Sequence, residues 1–150
     1  MQIRIAKINK QGIEAYQIRD ENNKLVYIVK KVHKLFTSKY ELLEVDNKTI
    51  GEIICSGTKK YKLLENKKFL DELIVVEKSP LIKYQLKQKK WNLKVDITFT
   101  EYNLYDENNK KVAYIKFDLP NTKWIANIDD IKNLKLVLMI ITSIIYMSQK

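Results

Sequence analysis

The sequence predicts a mainly β chain, about twelve antiparallel strands closed into a barrel around one hydrophobic C-terminal helix at about residues 131–148. Three observations carry this. Up to about residue 128, apolar and polar residues alternate at period two and are interrupted roughly every 8 to 12 residues by polar turn clusters. The stretch Leu134–Met147, LKLVLMIITSIIYM, then holds a single charge, Lys135. Finally, a hairpin pattern recurs: Tyr16-Gln-Ile18-Arg-Asp20-Glu-Asn-Asn-Lys24-Leu-Val26 matches Tyr102-Asn-Leu104-Tyr-Asp106-Glu-Asn-Asn-Lys110-Lys-Val112.

In chain order, Gln2 to Ile8 alternates and Gln11-Gly12 turns it toward a strand at Ile13 to Arg19. Asp20 to Lys24 is a turn, because Asn and Asp tolerate the left-handed conformation and bond to nearby backbone. Leu25 to Lys31 returns as a strand, and Phe36 to Val45 leads through Asp46-Asn-Lys48 into Ile50 to Cys55. After Gly57-Thr58 come Tyr61 to Leu64, a turn at Glu65-Asn-Lys67, and Phe69 to Val76. Pro80 has no amide to give a ladder, so it marks a connection before Leu81 to Leu86. Trp91 to Thr100 alternates, which predicts an inward row of Trp91, Leu93, Val95, Ile97 and Phe99. Tyr102 to Tyr105, a turn at Asp106 to Lys110, and Val112 to Phe117 form the next hairpin; Pro120-Asn121 turns into Thr122 to Ile128. Weaker copies of the repeat stand at Tyr40-Glu-Leu42 with Asp46-Asn-Lys48 and at Tyr61-Lys-Leu63 with Glu65-Asn-Lys67. Their uneven spacing favours duplicated hairpins in a closed sheet over a solenoid.

The terminal run is rich in β-branched residues, which also suit strands. Length favours a helix, since strands rarely exceed about 10 residues and nothing here turns the chain. Asp129 and Asp130 stand where a carboxylate can cap the first turn. A helix apolar on every side must be enclosed. A membrane span needs roughly 20 apolar residues, so the barrel, rather than a bilayer, is the expected enclosure and the chain is not expected to be an integral membrane protein.

At 150 residues, the chain is expected to be a single domain over 1–150. Cys55 is the only cysteine and His33 the only histidine, so no disulfide or zinc cluster is available within the sequence. The first residues lack the continuous apolar segment of a signal peptide, and a cytoplasmic location is expected. The net charge of +10 comes almost wholly from lysine, with Arg4 and Arg19 the only arginines. Lysine is a point charge suited to diffuse attraction rather than bidentate base reading.

Hairpins built on Asp-Glu-Asn-Asn-Lys, followed by Trp124-Ile-Ala-Asn-Ile-Asp-Asp130 and a wholly apolar terminal helix, resemble the Tubby C-terminal-like superfamily. The resemblance covers essentially the whole chain and is nearest to the short bacterial members, the LURP-one-related proteins and the phospholipid scramblases. It implies a twelve-stranded barrel around a central helix and, through the phosphoinositide and nucleic-acid binding of Tubby proteins, phospholipid binding. It carries no catalytic motif, and no lipid-contacting position of that family maps onto residues here.

The candidate site is basic. Lys83, Lys87, Lys89 and Lys90 precede Trp91, and Lys59, Lys60, Lys62, Lys67 and Lys68 stand upstream. Lys59, Lys60, Lys83, Lys87, Lys89 and Lys90 are the expected contacts to an anionic lipid or membrane surface, which attracts each nearby lysine by about 1 kcal/mol. The competing reading is a solvated barrel exterior, with a protein-interaction or scaffold role and incidental charge. Nucleic acid could use the same field, but scarce arginine and the lack of a recognisable binding motif argue against it. No catalytic group, metal or cofactor is expected: His33 lies in a basic loop, Cys55 in an apolar strand, and Asp20-Glu21 and Asp106-Glu107 in turns. With three glycines in the chain, no phosphate-cradling loop exists.

Overall fold

The computed structural model describes residues 1–10, 12–33, 38–57, 59–78 and 81–148. Twelve strands follow one another: β1 (Gln2–Lys10), β2 (Ile13–Arg19), β3 (Leu25–His33), β4 (Ser38–Glu44), β5 (Thr49–Gly57) and β6 (Lys60–Glu65), then β7 (Lys68–Glu77), β8 (Lys83–Leu86), β9 (Asn92–Val95), β10 (Glu101–Tyr105), β11 (Lys111–Asp118) and β12 (Lys123–Ile128). Each pairs antiparallel with the next, and β12 returns to β1 with Gln2 opposite Asn127 and Ile5 opposite Trp124. The sheet is a closed barrel, so no edge is left to pair with another chain. Of the expected connections, Gln11, Phe36, Thr58 and Pro80 lie outside the described residues.

The repeated turns are built alike. In one, Asp20 Oδ1 accepts the amides of Asn22 and Lys24 at 2.9 and 3.0 Å, and Asn23 takes a φ of 62°. In its copy, Asp106 Oδ1 accepts those of Asn108 and Lys110, both at 2.9 Å, and Asn109 takes a φ of 63°. Asn suits that left-handed position because its short polar side chain tolerates it. The register also shifts at matching places, after Ile18, Leu42, Leu63 and Leu104. Such shifts bend and twist a strand, as closure of a barrel requires.

Every even-numbered strand carries an inward aromatic near its start: Tyr16, Tyr40, Tyr61, Tyr84, Tyr102 and Trp124, all buried. Two residues further on, Ile18, Leu42, Leu63, Leu86, Leu104 and Ala126 form a second inward layer without solvent exposure. The pleat's period of two places each pair on one face.

Through this interior runs α1 (Leu134–Ser148), preceded by a 3-10 turn at Ile131–Asn133. Leu136 to Tyr146 is buried without a break. By length and composition the span Ile131–Ser148 is apolar enough to cross a membrane; here the barrel wall encloses its Leu136–Tyr146 stretch. Inside, the Thr142 and Ser143 hydroxyls donate to the Leu138 and Met139 carbonyls at 2.8 and 3.0 Å, so neither polar group is left unpaired. The helix packs against β4 and β5. At Gly51 of β5 a Cβ would stand 2.9 Å from Met139 Sδ, so only glycine admits that close approach without repacking.

Connections alternate between two rims. The lower rim, where α1 begins, carries the even-to-odd turns, and the upper rim, where α1 ends, carries the odd-to-even ones. Tyr146 marks the upper rim by sharing a hydrogen bond with Ser38 Oγ at 2.8 Å, at the start of β4.

Two sequence expectations change. The α-helix starts at Leu134 rather than 131, and Asp130 makes no side-chain cap. The amides of Asp129 and Asp130 both donate to the Val112 carbonyl, holding the chain against β11, and the Asp130 carboxylate accepts from Asn133 Nδ2 at 2.9 Å. The strand expected over Trp91–Thr100 ends at Val95, and Ile97 and Phe99 leave the inward row, 77% and 52% exposed. Asp96 is the cause. Its carboxylate accepts the Thr98 hydroxyl at 2.6 Å and the Thr100 and Glu101 amides at 3.0 and 3.1 Å. These local bonds outcompete the ladder.

Candidate functional site

The expected lysines divide among three places. Lys59, Lys60 and Lys87 converge, joined by Lys78, on an outward groove of about 440 Å³ along β6, β7 and β8. Lys60 faces Ile74 across the β6–β7 ladder, and Ile74, Val75 and Glu72 form the groove floor. Lys59 opens β6 from a left-handed position with φ 57°. It also lines a second cleft of about 470 Å³ at the upper rim, with Tyr61, Tyr84, Tyr102 and Met147.

Lys87 reaches this wall because a buried carboxylate pins the turn that carries it. Asp71 on β7 has no solvent exposure, and its oxygens accept the amides of Glu72, Gln88 and Lys89 at 2.8, 2.9 and 2.9 Å. Three amide donors satisfy a buried carboxylate that would otherwise be costly. The Lys87 amide completes the anchor by donating to the Glu72 carbonyl at 2.8 Å.

The remaining lysines stand elsewhere. Lys89 lies at the lower rim beside Lys132 and Lys135, and Lys90 follows it in the turn with φ 62°. Lys83 points out from β8, its Nζ 3.8 Å from Glu77. Lys62 is paired across the ladder with Glu72, Lys67 lies beside Lys39 and Glu52 in a separate depression, and Lys68 begins β7 opposite Glu65. Trp91 is not a surface aromatic: it is buried, and its Nε1 donates to Glu107 at 2.7 Å.

Elsewhere charge serves the wall. Glu14 accepts Lys7 at 3.1 Å and lies 3.6 Å from Lys31; burial raises its carboxyl pKa, but the Lys7 bond and both ammonium groups hold it below the ordinary range. Lys39 is held above its usual range by its 2.6 Å bond to Glu52 against the effect of burial, with Glu41 adding to it. Burial lifts the phenols of Tyr40, Tyr61 and Tyr84 and pushes that of Tyr102 up to about 12. Those tyrosines are thus neutral, structural groups. His33 is exposed at the end of β3, and Cys55 is half-buried on β5. Among the described residues no group of three or more His, Cys, Asp or Glu side chains could hold a metal ion.

Sequence reasoning missed Lys78 and the exposed tip at Ile97 and Phe99. Lys78 joins the groove only through the β7–β8 pairing. The spacing Asp96-x-Thr98-x-Thr100 is the turn signal that identifies the tip, since Asp and Thr side chains bond to backbone two to four residues on.

No family model and no curated protein matches the chain. A solved structure is similar: the X-ray structure of a protein from Arabidopsis thaliana, 13% identical, superposes with a TM-score of 0.69 over 98% of this chain and 91% of that one. At that identity the likeness is one of fold: a barrel of the same architecture.

Proposed function

We propose that this chain is a non-enzymatic binding and adaptor module of the Tubby C-terminal-like kind, recruited from the cytoplasm to anionic phospholipid surfaces. The superfamily assignment draws on the resemblance of the hairpins and terminal helix, and the twelve-stranded barrel around α1 agrees with it. The observation that carries the surface reading is the convergence of Lys59, Lys60, Lys78 and Lys87 on one groove whose lining includes a single carboxylate, Glu72. Lysines held together near an anionic leaflet each contribute about 1 kcal/mol, and their sum falls as salt shortens the Debye length.

Sedimentation with vesicles tests it. Phosphatidylcholine vesicles containing phosphatidylglycerol are expected to carry the protein down at low salt, and less so at physiological salt. Phosphatidylcholine alone should leave it in solution. The triple variant Lys59→Glu, Lys60→Glu, Lys87→Glu places its changes on the outer wall and should fold yet stay in the supernatant. A folded triple variant that still sediments would remove the groove from the reading. Absence of binding by the parent protein to every vesicle would end it.

A further inference from the structure

The upper rim is tipped with apolar side chains on three consecutive connections. Leu81 stands between β7 and β8, Ile97 and Phe99 between β9 and β10, and Leu119 between β11 and β12. They are 45%, 77%, 52% and 73% exposed. Isolated exposed apolar residues are ordinary, but successive loop tips at one end of a barrel form a single face.

The central tip is held rigid. Phe99 sits at φ 56°, a region that bulky side chains rarely occupy. Its amide donates to the Asp96 carbonyl at 3.1 Å, while the Asp96 carboxylate gathers Thr98, Thr100 and Glu101. Strain of this kind persists only where the surroundings fix it. Here it turns Ile97 outward and lays Phe99 across the mouth of the barrel, between the cleft at Tyr102 and a second at Trp124.

We infer that the upper rim docks on an anionic bilayer with Leu81, Ile97, Phe99 and Leu119 entering the acyl boundary and flanking lysines at headgroup level. The inference rests on the lipid reading above and adds the face and the depth. Charge complementarity selects the occupant. Lys59 and Lys78, which line the groove, flank the apolar arc on one side, and Lys123 starts β12 on the other. Of the acidic groups at this rim, Glu14 pairs with Lys7 and Lys31, Glu77 faces Lys83, Glu101 stands across the ladder from Lys116, Asp96 holds its own turn, and Asp118 accepts Asn121 Nδ2 at 2.7 Å. At the lower rim Val45, Phe69 and Ile131 are also exposed, but there the turns mix both signs, Asp20, Asp46, Asp106 and Asp129 standing with Lys24, Lys48, Lys110 and Lys132. Charges that nearly cancel draw that end toward an anionic surface less than the lysines draw this one. Apolar tips ringed by cations match an interface whose outer layer is anionic and whose inner layer is hydrocarbon.

The test places an environment-sensitive fluorophore at single cysteines in the Cys55→Ser protein: Ile97→Cys and Leu119→Cys at the upper rim, Phe69→Cys at the lower. With phosphatidylcholine–phosphatidylglycerol vesicles, the upper-rim probes should shift to the blue and be quenched by spin-labelled acyl chains, while the Phe69→Cys probe keeps its spectrum in water. The pair Ile97→Asp, Leu119→Asp, exposed and so compatible with folding, should lower partitioning by at least about tenfold, as loss of two inserted aliphatic side chains requires. Binding with all three probes in water would overturn tip insertion while leaving the electrostatic groove reading standing. Failure to bind any vesicle would overturn both. Upper-rim probes that move out of water without lipid, accompanied by a dimer in sedimentation velocity, would overturn the inference in favour of self-association.

Discussion

Truncating Ile141 tests the enclosure of α1 most directly. Ile141 is 1% exposed and lies in the middle of the buried run Leu136–Tyr146. Ile141→Ala removes three carbons, which at about 0.8 kcal/mol each forfeits roughly 2.4 kcal/mol of transfer free energy. The void adds to this, because the barrel wall is hydrogen-bonded all the way round and cannot collapse onto a thinner helix. The expected total is about 3 to 4 kcal/mol, a large share of the roughly 5 to 15 kcal/mol that holds a domain folded. Urea unfolding followed through Trp91 and Trp124, both buried in the wall, measures it. The midpoint should fall with the slope unchanged. A loss below about 1 kcal/mol, outside the range for a truncated core side chain, would refute the enclosed helix. The sharper variant is Ile141→Asp. An unpaired carboxylate there is too costly to bury, so soluble, cooperatively folding Ile141→Asp protein would contradict the threaded barrel altogether.

Other perturbations probe single groups. Among the described residues the buried Tyr40 hydroxyl has no hydrogen-bond partner; Tyr40→Phe should therefore raise the thermal midpoint, by the equivalent of about 1 kcal/mol, and a lower midpoint would reveal a partner for that hydroxyl. Asp71→Ala leaves the amides of Gln88 and Lys89 without their acceptor, and should cost about 2 to 4 kcal/mol in chemical denaturation as well as speeding amide exchange at those two positions. Burial raises the Asp96 carboxyl pKa, but the Thr98 hydroxyl and the Glu101 and Thr100 amides more than offset this and hold it below the ordinary range. A depressed folded value means that its stabilisation is complete above about pH 4, the unfolded value, and is lost as the pH falls through the folded one. The difference in thermal midpoint between parent and Asp96→Asn should thus be constant from neutrality to about pH 5 and shrink below pH 4; a difference that grew on acidification would reverse the assigned sign.

The turns and the helix were legible because their causes are local. Asp20-Glu-Asn-Asn-Lys24 and Asp106-Glu-Asn-Asn-Lys110 close through bonds spanning four residues or fewer, so sequence identity carries structural identity. The aromatic–aliphatic pair was readable at Tyr16 and Ile18 and at Tyr102 and Leu104, but its extension was concealed at Tyr84 and Leu86 by the short β8–β9 hairpin and at Trp124 and Ala126 because β12 leads into α1 rather than a return strand. At Trp91–Thr100 a perfect alternation misled. Period two records which residues share a face only while the strand continues, and Asp96 ends it. The lysines were visible as residues and invisible as a site. Whether Lys59 meets Lys87 depends on β6 and β8 flanking β7, and on Asp71 folding a turn 17 residues away toward the same wall, as seen in its bond to the Gln88 amide. Lys89, in the same turn, lines the depression at the lower rim with Lys132 and Lys135 instead.

The closing seam between β1 and β12 also orders events in time. Gln2 must find Asn127, and Met1 must exchange bonds with Ile128, across nearly the whole sheet. The segment that fills the interior is translated after every strand. A growing chain on the ribosome can thus make hairpins one by one but cannot complete either the ring or its contents. Contacts so distant in sequence make for slow folding. Until α1 emerges, the inner aromatic and aliphatic layers face water or one another. This protein should consequently depend on chaperone cover during synthesis to a degree that its final, edgeless surface does not suggest.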